Sequence, residues 1–412
     1  MSTILIDNTM PAPALGRRLR ILGVGNARSV IFLRWAWRLA ERGHDVHVLS
    51  DRFSTTPGDL DGLTTYDIRE LDRLTRVRGV RRLAFGRAIG RLARELEVDV
   101  VHGHYLLPYG YWAALARVRP TVISPWGTDI LIDAHASTQG RTRATRALNA
   151  ADALVVNSQA NARAAVALGV DPARIRTIVW YADLARFGPE HRDTGTWARF
   201  GWPSDSLVVL SLRNFRPDTN IDAVVRAFRG VAASEPRARL LLAAAGGPLR
   251  AQIERLVDDL GLRSVVAFHS ASEAELPTLV ASADVLVAMT KSDSTPSSLL
   301  EAMASGLPAV CADAASIDEW LGAGDGGEVV PQLDEVALAA SLARLLADPA
   351  LRARYGERNR EFVRTRVPEA GPLLEELYRQ VIGEEKLAGA APGGATRIGF
   401  RRPVPTPGRA TS

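Results

Sequence analysis

Short apolar runs alternate with amphipathic helical stretches through the first half of this chain, and the same alternation begins again in the second; few folds accept such a pattern. "RLRILGVG" (Arg18–Gly25) is an apolar run bounded by glycine, the form of a buried strand. Ser29 stands at the start of a helix in which Val30, Leu33, Trp37 and Ala40 fall at helical spacing and Gly43 follows the end. Asp45–Ser50 is the next strand, followed by strand-like runs at Val98–His102, Thr121–Ser124, Ala153–Asn157 and Ile175–Val179. From Asp205 the pattern restarts. Strands are expected at Asp205–Asn214, Ala238–Gly246, "VVAFHS" and Asp284–Thr290, with helices at Ile221–Ala233, "AQIERLVDDLGL" and "SEAELPTLVASA" between them. Strands separated by helices call for parallel sheets covered on both faces. At 412 residues the chain also exceeds what one core usually supports.

The expectation is therefore an α/β protein of two Rossmann-like, doubly wound domains facing each other across a cleft. The predicted divisions are a flexible N-terminus (1–17), a first domain (18–190), a linker (191–206) and a second domain (207–365). A C-terminal helix (366–383) packing back toward the first domain and a disordered, Pro/Gly/Ala-rich tail (384–412) complete the chain.

Composition narrows the class. No apolar run approaches the roughly 20 residues that span a bilayer, and residues 1–17 lack the order of a secretory signal. One cysteine, Cys311, excludes an internal disulfide, which fits a cytoplasmic location, with the inner face of a membrane as a variant. The net charge of +5 suggests anionic partners, but only Lys291 and Lys386 are lysines, so the basicity is an arginine bias. Aromatic residues are not interleaved with basic ones as a single-strand binder needs, and no nucleic-acid partner is expected.

Ligands of open parallel sheets sit beyond the carboxyl ends of the strands. One loop there carries unusual chemistry: "SDSTPSSLLEAMASGLPAV", residues 292–310. Ser297 or Ser298 is the expected helix cap, Gly306 the C′ residue and Pro308 the stop. A helix start offers free amides and a positive dipole end, a seat for phosphate. Glu301, about one turn inside, and Asp293, in the loop, are carboxylates able to accept hydrogen bonds from sugar hydroxyls. The alternative is that both acids merely favour the helix start electrostatically.

The stretch "SADVLVAMTKSDSTPSSLLEAMASGLPAVCADAASIDEW" closely resembles the signature of the retaining glycosyltransferases of family 4, which have the GT-B fold: an acid, seven residues, then a Glu running into "EAMA-x-G-x-P". Asp293 stands where the family has its first Glu, and Glu301 at the second. "RLAERGHDVHVLS", "VDVVHGHY", "RIRTIVWYADLARFGP" and "GGPLRAQIERL" extend the resemblance from about Arg18 to about Arg366. It implies that Glu301 holds a nucleotide ribose, that Asp293 contacts the transferred sugar, and that Arg213 in "SLRNFRPDTN" neutralises the donor diphosphate. A guanidinium suits that role because it binds phosphate oxygens bidentately. Ser297, Ser298 and Leu299 complete the donor side.

Some positions depart from the family. Asp218 and Thr219 occupy the region where a Lys usually follows the Arg, leaving Arg216 or Lys291 as replacements. Trp126 in "SPWGTDI" stands where many members carry His. "GNARS" replaces paired glycines, so Gly25 and Asn26 are the acceptor-side candidates there. His104, at a strand end, is a candidate for contact with acceptor or sugar. Asp129 is either acceptor-side wall or a turn residue.

"GVGNAR" has Arg28 where a dinucleotide fingerprint needs its third glycine. Asp59-Leu60-Asp61 forms a D-x-D remote from the second-domain motif, and no ligand cluster stands at metal spacing; no metal and no cofactor are expected. Arg73–Glu95 reads as a basic amphipathic helix, either resting on anionic lipid or packing its apolar side on the sheet. The expected function is a retaining, metal-independent transfer of sugar from a nucleotide-sugar to an acceptor hydroxyl of unspecified kind. The alternatives are an inactive nucleotide-sugar-binding protein and an isomerase or phosphorylase on the same fold.

Overall fold

The computed structural model describes residues 17–53, 62–77, 80–180, 184–244, 246–292, 294–322 and 325–383. Asp293, Asp59–Asp61, residues 1–16 and the tail from 384 lie outside them.

The first domain is a seven-stranded sheet of β1 (Arg20–Val24), β2 (Asp45–Ser50), β3 (Thr64–Asp67), β4 (Val100–His104), β5 (Thr121–Ser124), β6 (Ala153–Val156) and β7 (Ile175–Thr177). All pairings are parallel, in the order β3-β2-β1-β4-β5-β6-β7. Its helices are α1 (Val30–Glu41), α2 (Ile68–Leu71), α3 (Arg81–Glu95), α4 (Tyr111–Leu115), α5 (Thr138–Ala150) and α6 (Gln159–Ala167). Helix α1 lies very close to β1: a Cβ on Gly23 would stand 2.4 Å from the Trp35 ring, so only glycine admits that approach.

The second domain has six parallel strands, β8 (Leu207–Ser211), β9 (Ala238–Ala243), β10 (Val266–His269), β11 (Val285–Ala288), β12 (Ala309–Ala312) and β13 (Gly327–Val330), ordered β10-β9-β8-β11-β12-β13. Around it run α7 (Ile221–Ser234), α8 (Arg250–Asp259), α9 (Leu276–Ser282), α10 (Ser297–Ala304), α11 (Ile317–Leu321) and α12 (Glu335–Ala347), then α13 (Pro349–Arg366) and α14 (Ala370–Ile382). In each sheet the order reverses beside the first strand, between β1 and β4 and between β8 and β11. Crevices form at such points.

The structure differs from the sequence reading in its short strands, in the basic stretch and in the segment between the domains. β3, β12 and β13 add strands of four residues, too short for periodicity to reveal; β3 ("TTYD") is also a half-exposed edge. The basic stretch from Arg73 is not one helix: a 3-10 turn (Arg73–Arg76) precedes α3, which buries Phe85, Ala88, Ile89 and Leu92 and turns its arginines outward. The segment read as a linker is pinned to the second domain. Trp197 is fully buried, and Arg192 donates to the carbonyls of Ala281 and Ala283 and pairs with Asp284 at 3.3 Å. Its polar composition concealed two tryptophans, Trp197 and Trp202, that the core of the molecule absorbs.

Helix α14 lies on the first domain. Glu375 binds Arg42 Nε at 2.5 Å and His44 Nε2 at 2.9 Å. Tyr378, wholly buried, has its hydroxyl 3.0 Å from Trp35 Nε1 and 2.6 Å from His102 Nδ1. Neither sheet closes its apolar surface alone, and one cluster joins Trp35, Trp180, Trp197, Leu300 and Tyr378.

Candidate functional site

The site is where the carboxyl-end loops of the two sheets meet. Helix α10 begins at Ser297 directly after Pro296, which is the cap residue and whose ring cannot donate. The cap expected from Ser297 or Ser298 is therefore not made, since the helix starts with them inside it. The amide of Leu299 already reaches the Pro296 carbonyl at 3.0 Å, leaving Ser297 and Ser298 with the unsatisfied N–H groups of the first turn. Leu299 contributes instead to the core, with no exposed surface. Gly306, at φ +78°, ends the helix as expected.

The loops that follow β8 and β11, neighbouring strands of the second sheet, carry its candidate donor-side cations. Arg213 is partly buried just beyond β8. Arg216 is exposed and paired with Asp218 at 2.9 Å. The β8 and β11 loops are stitched together by the Lys291 amide on the Asp218 carbonyl (2.9 Å) and by Asn220 Nδ2 on the Met289 carbonyl (2.7 Å). This brings Lys291 beside Asp218, whose carboxyl both cations help hold below its ordinary value against the opposing effect of burial. Arg216 and Lys291 thus share the region where the family's lysine is missing.

Glu301 is only 3% exposed. Burial raises its carboxyl above the ordinary carboxylate value, and the charge of Arg34 opposes the shift. Arg34 comes from α1 of the first domain; its Nη1 donates to Glu301 Oε1 at 2.8 Å and its Nη2 to Glu273 Oε2 at 2.7 Å. Arg186 reaches the same Glu273 oxygen at 3.2 Å.

The hydroxyl run of the motif has a structural use of its own. Ser294 Oγ donates to the Trp126 carbonyl and Thr295 Oγ1 to the Asn157 carbonyl, so this loop of the second domain is bonded to two strand ends of the first. Gly127, at φ +145°, passes so close that a Cβ would stand 2.7 Å from Ser294 Oγ. Nearby, Glu319 accepts from the Gln159 and Ala160 amides (2.8 and 2.9 Å), capping α6 across the interface. Sequence reading missed Arg34, Glu273, Ser294, Thr295 and Glu319. Each acts over 100 or more positions along the chain, and among so many arginines nothing local distinguishes Arg34.

The acceptor-side candidates are placed less openly than expected. His104 has no exposed surface; it lies against Trp35 (4.4 Å between ring centres), Phe32 (5.0 Å) and His102 (4.2 Å), and burial holds its pKa far below the ordinary histidine value. It belongs to a buried aromatic cluster in this arrangement. Trp126 is half-buried, edge-on to His104 and Tyr105. Asp129 is a turn residue rather than a wall. Fully buried, it accepts the amides of Leu106, Trp126, Gly127 and Ile130 and so ties the β4 and β5 loops together. Gly25 lies buried under the Phe32 ring, and Asn26 shapes the turn into α1 by accepting from the Arg28 and Ser29 amides.

Known proteins share this architecture. The family model "Glycosyltransferase Family 4" matches residues 29–186 and "Glycosyl transferases group 1" matches 197–362. A D-inositol 3-phosphate glycosyltransferase of Kineococcus radiotolerans is 31% identical over 291 residues, 64% of this chain and 67% of the relative; for a Streptomyces bingchenggensis protein of the same name the values are 28%, 63% and 61%. The chain thus spans about two thirds of these relatives' length. The N-acetyl-alpha-D-glucosaminyl L-malate synthase of Bacillus anthracis is 25% identical over 85% of this chain and 92% of its own. Among solved structures, sucrose-phosphate synthase from Thermosynechococcus elongatus superposes with a TM-score of 0.71 at 23% identity, covering 88% of this chain and 99% of that one. HepE from Anabaena, solved with UDP and glucose, gives 0.71 at 17%, covering 87% and 99%. Two parallel-sheet domains meeting at their carboxyl ends, each matched by its own half of the family pattern, place this chain in glycosyltransferase family 4, with the GT-B fold.

Proposed function

We propose that the protein transfers a sugar from a nucleoside-diphosphate sugar to an acceptor hydroxyl, with retention at the anomeric carbon and without a metal. One observation supports this reading: β8 and β11 are neighbouring strands, so the loop after β8 with Arg213 and Arg216 and the loop after β11 with Lys291 and the unbonded amides of Ser297 and Ser298 leave the same end of the sheet, with Glu301 one turn further along α10. Cations and helix-start amides suit a diphosphate, and a neighbouring carboxylate suits a pentose diol. The UDP and glucose bound to HepE are consistent with a donor of this class.

In this proposal Arg213 and the α10 amides offset the charge that grows as the diphosphate leaves. Glu301 accepts from the ribose hydroxyls. Asp293 contacts the transferred sugar on the strength of its place in the motif alone. The acceptor oxygen approaches from the face that the diphosphate leaves, and a donor phosphate oxygen takes its proton, so no protein base is required. Closure of the interface around Ser294 and Thr295 limits attack by water. Metal independence is part of the proposal; among the described residues no three His, Cys, Asp or Glu side chains are grouped to hold an ion.

The test is a thermal-shift panel of nucleoside diphosphates and their sugars, followed by mass spectrometry of candidate acceptors. Glu301→Ala is expected to raise donor KM or abolish turnover, and an unaffected enzyme contradicts the assignment. Binding without transfer, or a sugar phosphate or epimerised product, would favour the other classes.

The proposal includes peripheral contact with a lipid surface because of one feature. No described helix is long and apolar enough to cross a membrane, but Leu74, Val77, Val80 and Leu83 are all exposed, Leu83 by 64%. They lie among exposed Arg73, Arg76, Arg81 and Arg82, a combination suited to an anionic bilayer face. Co-sedimentation with phosphatidylglycerol vesicles but not phosphatidylcholine vesicles is expected, and Leu83→Glu should abolish it. Equal behaviour on both vesicles removes the membrane from the account.

A further inference from the structure

The acid expected to grip the nucleotide's pentose belongs to the second domain, yet its partner belongs to the first. Glu301 Oε1 receives Arg34 Nη1 at 2.8 Å, and both side chains are more than nine-tenths buried. Among the described residues no other donor is bonded to Glu301, so Oε2 is unengaged. The guanidinium is itself held on its second branch by Glu273, which Arg186 also pairs. Arg34 is thus fixed between two carboxylates of the second domain. A buried carboxylate is costly without a paired cation, and the two branches of the guanidinium, each bonded to a different acid, hold Arg34 in one orientation against Glu301 Oε1.

We infer that Arg34 is the positioning residue for nucleotide recognition: by clamping Oε1 it orients the Glu301 carboxylate and leaves Oε2 to accept from the ribose. This rests on the reading of Glu301 proposed above. One consequence is that donor recognition is completed only when α1 of the first domain meets α10 of the second. Affinity for the nucleotide is then coupled through a single side chain to contact between the two domains. The groups facing Glu301 that set its charge are Arg34 from α1, Glu273 from the segment before α9, and Arg186 from the turn at Leu184–Arg186.

The experiment is calorimetric titration of UDP and GDP, each against its 2′,3′-dideoxy form, on the full chain. In the unaltered protein the ribose form of the preferred nucleotide should bind roughly tenfold or more tightly than the dideoxy form, as hydrogen bonds to a charged acceptor require. Arg34→Gln should weaken the ribose form and move this ratio toward one. Arg34→Lys, which keeps a cation but not the fork, should give an intermediate ratio and guards against misfolding of the glutamine variant.

A role confined to holding the domains together would weaken both nucleotides equally and leave the ratio intact, which overturns the inference. Tighter binding in Arg34→Gln also overturns it, since Arg34 would then be competing with the ribose. The control is Glu301→Ala. If that variant keeps the full ratio, the pentose reading itself falls; if it loses the ratio while Arg34→Gln keeps it, only the role of Arg34 falls.

Discussion

Removal of one buried oxygen, Tyr378→Phe, should cost far more than its size suggests. Trp35 Nε1 can only donate, so at 3.0 Å it gives its proton to the Tyr378 oxygen. The phenolic hydrogen is then left for His102 Nδ1 at 2.6 Å, and the His102 Nε2–H for Ser124 Oγ at 2.7 Å. His102 is completely buried and uncharged, its pKa lowered to about 3 by desolvation, which agrees with this one-directional chain. Phenylalanine fills the same ring volume but orphans one donor and one acceptor in a dry core. At about 1–3 kcal/mol for each of the two unsatisfied groups, the loss should be about 2–6 kcal/mol. For a domain of this size, at about 2–4 °C per kcal/mol, that is a fall of at least about 4 °C in the midpoint. Thermal unfolding followed by tryptophan fluorescence reads it directly, and limited proteolysis should show α14 released first. A midpoint within a degree of the unaltered protein would refute the reasoning, because it would mean that the chain of hydrogen bonds stores nothing.

Acidification should destabilise the first domain earlier than surface carboxylates alone require. With a folded pKa near 3 against an ordinary 6.5, His102 binds a proton in the unfolded chain but not in the folded one. Stability is therefore full above pH 6.5 and is lost as pH falls, by about 2 kcal/mol between pH 6.5 and 5; a flat unfolding midpoint over that range contradicts the buried neutral state. Gly127→Ala combines a strained positive φ with a Cβ 2.7 Å from Ser294 Oγ. It should cost about 1–3 kcal/mol and slow transfer, as read by paired unfolding and initial-rate measurements. Removing the bridging hydroxyls, Ser294→Ala with Thr295→Val, should leave each domain folded but raise hydrolysis of the donor relative to transfer.

Much of the architecture was legible because the strands are nearly unbroken apolar runs and the helices between them carry one buried face. Sheets read this way differ from the structure mainly at strands too short to carry a period, such as Thr64–Asp67 and Gly327–Val330. The segments proposed for the donor side stand out in the sequence because Arg213 and Lys291 lie in loops that follow strands, and Ser297, Ser298 and Glu301 in the helix that one of these loops enters, where local pattern and position coincide. The interface was not. Arg34, Glu273 and Glu319 take their roles from residues more than 150 positions away, and a hydroxyl run that locally suggests phosphate also supplies Ser294 and Thr295 to the opposite domain. Asp129 shows the same limit, since a turn acid and a cleft acid look alike until its four amide partners are placed.

The central claim is that a pyrophosphate sits at the start of α10 under Arg213. Titration of UDP and GDP, alongside uridine and guanosine, into the protein and its Arg213→Glu variant tests it most directly. The account predicts that the charge reversal weakens the preferred diphosphate by a hundredfold or so while leaving the matching nucleoside unaltered. Equal affinity of the two proteins for the diphosphate would contradict it.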